Sequence, residues 1–237
     1  MTERAPKGDR PGRTAVALQD AIAKNPRNCP VCVVVQTRLR HYVDTLFYEL
    51  VNDPPTRERI RRARGFCRYH ARMISEQSDA LGAAIILCDV LENDFQDISN
   101  GLFDLPAQST NPIRRLLGRR SGQPELAPCP LCVSESETEY LVVDSLLERL
   151  DSTTFSIDFP ERAGICVPHF RLAYDRCGDG PRWRKMTAVQ RTAVQRLIEE
   201  LNDLARAYDY HVTEKPTAEQ AEVWRRALRF SSRQFEP

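Results

Sequence analysis

Cys-Pro-Val-Cys occupies residues 29–32 and Cys-Pro-Leu-Cys residues 129–132, while Gly-Phe-Cys-Arg-Tyr-His and Gly-Ile-Cys-Val-Pro-His begin at Gly65 and Gly164. Sliding the chain on itself by 100 aligns Cys29–Leu50 with Cys129–Leu150 at eight identities in 22 positions, and sliding by 99 aligns Gly65, Cys67 and His70 with Gly164, Cys166 and His169. One unit therefore reads C-P-x-C, then 34 or 33 residues, then C-x-x-H. Repetition of the whole pattern within one chain constrains the fold more than an isolated motif would, because each copy asks the same convergence of its chain.

Cys-x-x-Cys and Cys-x-x-His each set two soft ligands at i and i+3, on one side of a helical turn. At a helix start the unpaired backbone N–H groups and the positive end of the dipole favour thiolate over thiol. Proline after the first cysteine fits that position, since the first helical residue has no intrahelical N–H bond to lose. Two such pairs brought together make a Cys3His set, the closed tetrahedral environment of structural zinc. The expected ligands are Cys29, Cys32, Cys67 and His70 for one ion and Cys129, Cys132, Cys166 and His169 for a second, two zinc ions per chain.

This grouping has a geometric condition. A 20-residue helix leaving Cys32 travels roughly 30 Å, and the chain must return within about 15 residues, which an extended segment can do and a fully helical one cannot. Crossed pairing, Cys29 and Cys32 with Cys166 and His169, is the alternative. An iron-sulfur cluster is the alternative cofactor, since ligand identity alone does not choose the metal. C-P-x-C also occurs in glutaredoxin-like thiol chemistry, which needs a βαβ context this sequence lacks and leaves the repeated C-x-x-H unexplained.

The fold class expected is all-α, as two pseudo-symmetric helical repeats. Val35, Leu39, Val43, Leu46, Phe47 and Leu50 form one stripe along a helix over 31–51, and Val133–Leu150 mirrors it. Asp53-Pro54-Pro55 opens a second helix that stops at Gly65, with further helices over 67–75, 80–98 and 188–210. Only residues 151–160, β-branched and aromatic, suggest a short strand or an extended return. Composition divides the chain into a disordered N-terminus (1–12), a first repeat (13–105), a linker (106–128), a second repeat (129–215) and a C-terminal amphipathic helix and tail (216–237). Val223, Trp224, Leu228 and Phe230 are that last helix's anchors, expected to pack on the body.

Nothing approaches 18 consecutive apolar residues, so no membrane span is expected, and no apolar segment follows the polar, basic N-terminus as a secretory signal would require. A cytoplasmic location follows, where eight cysteines serve better as ligands than as disulfides. Cys88 reads as a core residue, Cys177 as a free thiol at a helix end, and His41 and His211 as surface or packing residues. Asp44 and Asp144 correspond in the two repeats, too far along their helices to support a ligand, and arginine is the simpler partner.

The formal net charge is +1, and 30 of the 34 cations are arginine. Residues 57–72 hold seven arginines and one glutamate, whereas 133–161 hold eight acids and one arginine. Surfaces of opposite sign allow two repeats or two molecules to face each other, leaving a homodimer open. Nucleic-acid binding through the strip 57–72, helped by Arg114, Arg115, Arg119 and Arg120, is the rival reading. No G-x-S-x-G, phosphate loop or HExxH is present, and a saturated Cys3His set lacks the open position of hydrolytic zinc, so an enzyme is not favoured.

In their order, "CPVC", "GFCRYH", "CPLC" and "GICVPHF" resemble an uncharacterised prokaryotic family of duplicated Cys-Pro-x-Cys and Gly-x-Cys-x-x-His proteins, over roughly residues 28–211. The resemblance implies a helical metal-binding protein and brings no activity with it. The function expected is that of a zinc-binding adaptor with a protein partner; a thiol or iron-sulfur redox protein is the alternative.

Overall fold

The structure is a computed structural model that describes residues 12–25, 27–77, 80–100, 126–150, 164–208 and 215–232. The N-terminal 11 residues, most of the expected linker, His211 and the expected strand at 151–160 lie outside these. The described residues are helical with no strand: α1 (Arg13–Lys24), α2 (Pro30–Tyr48), α3 (Pro54–Arg62), α4 (Arg68–Gln77), α5 (Ala80–Ser99), α6 (Pro130–Arg149), α7 (Val167–Cys177), α8 (Pro181–Ala207), α9 (Ala218–Ala221) and α10 (Val223–Ser231).

The helices begin and stop where local chemistry directs. Asp53 accepts the Thr56 backbone N–H at 2.9 Å, and the two prolines occupy the first turn of α3. That helix ends in a Schellman motif: Gly65 N–H donates to the Ile60 carbonyl and Arg64 N–H to that of Arg61, both at 2.9 Å. Arg64 and Gly65 take positive φ values of 53° and 92° there, which reverses the chain just before Cys67. Gly178, at φ 59°, closes α7, and Pro181 opens α8 three residues later. Across that turn Trp183 packs tilted against Phe170 at 4.5 Å and edge-on to Tyr174 at 5.0 Å between ring centroids. Thr217 and Gln220 make a reciprocal capping box on α9.

Two compact units result, residues 38–136 and residues 1–37 with 137–237, and the boundaries fall inside α2 and α6. In the unit 38–136, the buried side chains include Leu39, Val43, Leu46 and Phe47 of α2, Ile60 of α3, Ile74 of α4, and Ile86 and Val90 of α5. Gly82 lets α5 approach α2 closely, since a Cβ there would lie 2.5 Å from the Phe47 carbonyl oxygen. Arginines of the strip 57–72 reinforce the α3–α5 contact. Arg57 and Arg61 both bind Asp89, at 3.1 and 2.9 Å, and Arg64 binds Asp94 and Asp97. Arg62 pairs with Glu58 and Arg72 with Glu76, so five of the seven arginines of the strip meet acids of the same unit.

In the other unit the core comes from Leu18 and Ile22 of α1, Val31, Val34 and Val35 of α2, Val142, Val143, Leu146 and Leu147 of α6, and Met186 and Val189 of α8. The C-terminal segment packs on α8 and α7 through buried Val223 and half-buried Phe230, but Trp224 and Leu228, the other two expected anchors, are exposed, and the segment breaks at Glu222 into two helices. Cys88 departs from its expected place: it is exposed on α5 and is no core residue. The helical period explains this, because Gly82, Ile86 and Val90 take the inner face and position 88 falls opposite.

Candidate metal centres

All eight predicted ligands converge, in two groups, with the four ligand atoms of each group within 4.8 Å of one another. The groups are crossed with respect to the repeats. Cys29 and Cys32 meet Cys166 and His169, whereas Cys67 and His70 meet Cys129 and Cys132. This corrects the within-repeat pairing. The return after α2 is helical over Pro54–Arg62, so it advances only about 14 Å against about 28 Å for α2. Phe66 accordingly packs on Phe47, ring centroids 6.4 Å apart, 15 residues along α2 from Cys32. Cys67 follows Phe66 and joins the group of Cys129 and Cys132.

Each centre is built from two helix starts. Cys29 and Cys129 stand immediately before α2 and α6, and Cys32 and Cys132 lie in their first turns. Cys67 and Cys166 immediately precede α4 and α7, which carry His70 and His169 in their first turns. All four pairs thus sit at the end of a helix where N–H groups and dipole stabilise anionic sulfur.

In the centre of Cys29, Cys32, Cys166 and His169, the three sulfurs lie 3.5, 3.4 and 3.0 Å from His169 Nδ1, and Cys32 and Cys166 Sγ are 3.7 Å apart. Cys166 and His169 are buried. In the other centre, Cys67, Cys129 and Cys132 Sγ lie 3.3, 3.7 and 3.4 Å from His70 Nδ1, and Cys67 and Cys132 Sγ are 3.6 Å apart. His70 is fully buried. Both imidazoles therefore turn Nδ1 towards three sulfurs.

The opposite ring nitrogens meet glutamates that sequence reading missed. His169 Nε2–H donates to Glu139 Oε1 at 3.1 Å, and Glu135 Oε2 lies 3.5 Å from His70 Nε2. At His169 this carboxylate on the far nitrogen fixes the tautomer and makes the facing nitrogen a better donor to a metal, whereas His70 Nε2 makes no hydrogen bond among the described residues. A signal existed: Glu135 and Glu139 follow Cys132 by three and seven residues, whereas the aligned positions in the first repeat are Val35 and Leu39. Asp144, by contrast, takes Arg176 in a two-bond pair at 2.6 and 2.8 Å, as expected.

A second contact missed from sequence holds the segment before Cys166. The buried Gln190 side chain of α8 accepts the Ile165 N–H at 3.0 Å and donates to the Ile165 carbonyl at 2.6 Å. Gly164 makes this approach possible, because a Cβ there would lie 2.5 Å from Ala193 Cβ and 3.1 Å from Gln190 Oε1. The two glycines of the G-x-C-x-x-H motifs thus answer different demands, backbone conformation at Gly65 and space at Gly164.

Without an ion the sulfurs resist sharing negative charge. Burial tends to raise the Cys29 thiol, yet hydrogen bonds from Cys166 and Cys32 and the neighbouring His169 hold it well below its usual value. The Cys32 thiol is pushed far up by its hydrogen bonds with Cys166 and Cys29 and by burial. His169, which burial alone would lower, is raised to about 12 beside the Cys29 thiolate. Burial and the Cys67 hydrogen bond push Cys132 up to about 12, and burial lowers His70. A buried centre of this kind accepts one thiolate readily; three together require a cation of matching charge.

Among the described residues, then, the molecule is an all-helical protein with two Cys3His groups able to hold a metal ion. No helix among the described residues is long and apolar enough to cross a membrane. The chain belongs to the family described as "Family of unknown function (DUF6062)", whose model matches residues 13–237. It is also similar to an "Uncharacterized 23.9 kDa protein in xynA 3'region" of Caldicellulosiruptor sp. (strain Rt8B.4), 25% identical over 204 residues, covering 85% of this chain and 93% of that protein. No solved structure matches the chain.

Proposed function

We propose that the protein binds two zinc ions, one in each Cys3His centre, as structural elements of a helical adaptor that presents its outer faces to a protein partner. The observation that carries the zinc reading is the size of the two tetrads. Zinc at about 2.3 Å from sulfur and about 2.0 Å from nitrogen in a tetrahedron sets S···S edges near 3.8 Å and S···N edges near 3.5 Å. The S···N edges of 3.0–3.7 Å, the Cys32–Cys166 and Cys67–Cys132 edges of 3.7 and 3.6 Å, and the bound of 4.8 Å on every edge fit a single ion of that size. An iron-sulfur cluster spreads its protein ligands over several irons and needs wider separations than these tetrads offer. Three thiolates balance a dication to a net charge of minus one, which the neutral histidine leaves unchanged. Four protein ligands per ion also leave no vacant position for a substrate, so the reading is structural rather than hydrolytic.

Elemental analysis of anaerobically purified protein is expected to find two zinc per chain in a colourless sample. Stripping with a strong chelator is expected to collapse the cooperative unfolding transition, because such centres contribute on the order of 10 kcal/mol to folding. A brown sample with visible charge-transfer absorption and stoichiometric iron, or a folded protein with no bound ion, overturns the zinc reading.

A further inference from the structure

We propose that the outer face of α5 is a homodimer seam, on which a second copy of the chain packs its own α5 antiparallel. The inner face of this helix is occupied by Gly82, Ile86 and Val90, all buried, and by the aspartates that bind the arginines of the α3 segment. A surface helix ordinarily turns polar residues to water on its far side. Here that side carries Leu81, Leu91, Phe95 and Ile98, exposed by 68, 65, 70 and 61%. Ala84 and Cys88, also exposed, complete the row.

The spacing of these six residues is specific. Positions 81, 84, 88, 91, 95 and 98 alternate steps of three and four, the repeat that keeps a seam facing a partner helix at a shallow crossing angle. It extends over roughly 26 Å of helix. The pattern therefore asks for another helix as its cover.

Residue volumes indicate which helix. A twofold axis crossing α5 between Cys88 and Leu91 places Ala84 against the other copy's Phe95, Cys88 against its Leu91, and Leu81 against its Ile98. Each layer then joins a small side chain to a large one or two of similar bulk, as close packing requires. A parallel arrangement would crowd two Phe95 rings into one layer and leave two Ala84 methyls facing in another. Charge permits the same choice. The helix has no lysine or arginine, and in the antiparallel register Glu92 lies beside the other copy's Ile85 and Asp94 beside its Leu87, so no carboxylates oppose. The stripe offers roughly 600 Å² per copy, which for two copies reaches the lower edge of specific dimer interfaces.

Sedimentation or light scattering of the full, metal-replete chain up to about 100 μM tests this, a range in which an interface of that size associates. Twice the chain mass is expected for the wild type, and the single-chain mass for F95E and L91E, with circular dichroism and metal content unchanged because both side chains are exposed. The orientation is read by oxidative cross-linking in a C177S background. L91C, which sets a thiol opposite the other copy's Cys88, should cross-link, whereas the background chain should not. A wild-type chain that stays at single-chain mass, or a dimer indifferent to F95E, overturns the proposal. Cross-linking through Cys88 alone with no gain from L91C overturns the antiparallel register.

Discussion

Gly65 and Gly164 occupy the same place in two copies of one motif and are required for unrelated reasons. At φ 92°, Gly65 supplies a backbone conformation that L-residues rarely adopt. Gly164 supplies room, and the constraint is Ala193 Cβ on α8. The distinction is testable. G164A should destabilise the loaded protein by about 1–3 kcal/mol through overpacking and weaken zinc retention only in the centre of Cys166 and His169. A193G, which removes the opposing methyl, should restore part of that loss in G164A and none in G65A. Chemical denaturation together with chelator competition reads both effects, and a G164A defect that A193G leaves untouched would remove the steric explanation. Gln190 belongs to the same assembly, since its amide closes on both backbone groups of Ile165 and so aims Cys166.

Helices α3 and α5 show how the arginine-rich stretch is used. Asp89 receives Arg57 Nε and Arg61 Nη1, and its side chain retains only 15% exposure. Burial tends to raise its carboxyl, but the two guanidinium groups outweigh this and hold it below its ordinary value. The sign of the pH dependence follows. A depressed carboxylate contributes stability that is complete above its unfolded pKa of about 3.9 and disappears as pH falls through the lower folded value. D89N should therefore cost about 1–2 kcal/mol at pH 7, reduced from a buried charged pair because the arginines remain partly exposed. The gap between wild type and D89N should narrow as the pH is taken below 4. Urea denaturation at a series of pH values checks it, and a gap that stays constant into acid would show that the guanidinium pairing is not its source. The sequence carried both halves of this contact, seven arginines in one stretch and Asp89, Asp94 and Asp97 in another, but charge patterning alone does not say whether a cationic strip faces its own fold or a polyanion.

At the scale of the whole chain, the ligand sets bind sequence-distant segments: residues 29–32 to 166–169, and 67–70 to 129–132. An ion held by either set would close a loop of on the order of 60 to 140 residues in the unfolded chain, where constraint reduces the unfolded state's freedom most. Metal stoichiometry in cysteine variants distinguishes crossed from within-repeat ligation. C29S and C166S should each lose one zinc, and the C29S/C166S pair should lose no more than either alone. C29S/C67S should lose both ions. Native mass spectrometry reads the counts, and within-repeat ligation would produce the reverse, with C29S/C67S losing one ion and C29S/C166S two. Crossing also bears on stability: variants in one repeat should impair ion binding by ligands of the other.

The helical character, the eight ligands and the helix-start position of each ligand pair were legible in the sequence because all are local. The i and i+3 spacing, the prolines at first turns, the Asp53 cap and the three-and-four stripe of α2 act within one or two turns of chain. Which pair meets which was decided by tertiary structure, because it depends on where a helical return after α2 delivers Phe66 and Cys67, and a one-dimensional repeat leaves both closures open. The same holds for Glu135, Glu139 and Gln190, whose partners lie 65, 30 and 25 residues away. It holds for Cys88 as well: an apolar run names residues that prefer to leave water, and only the packing of α5 against α2 and α3 settles which side of the helix does so.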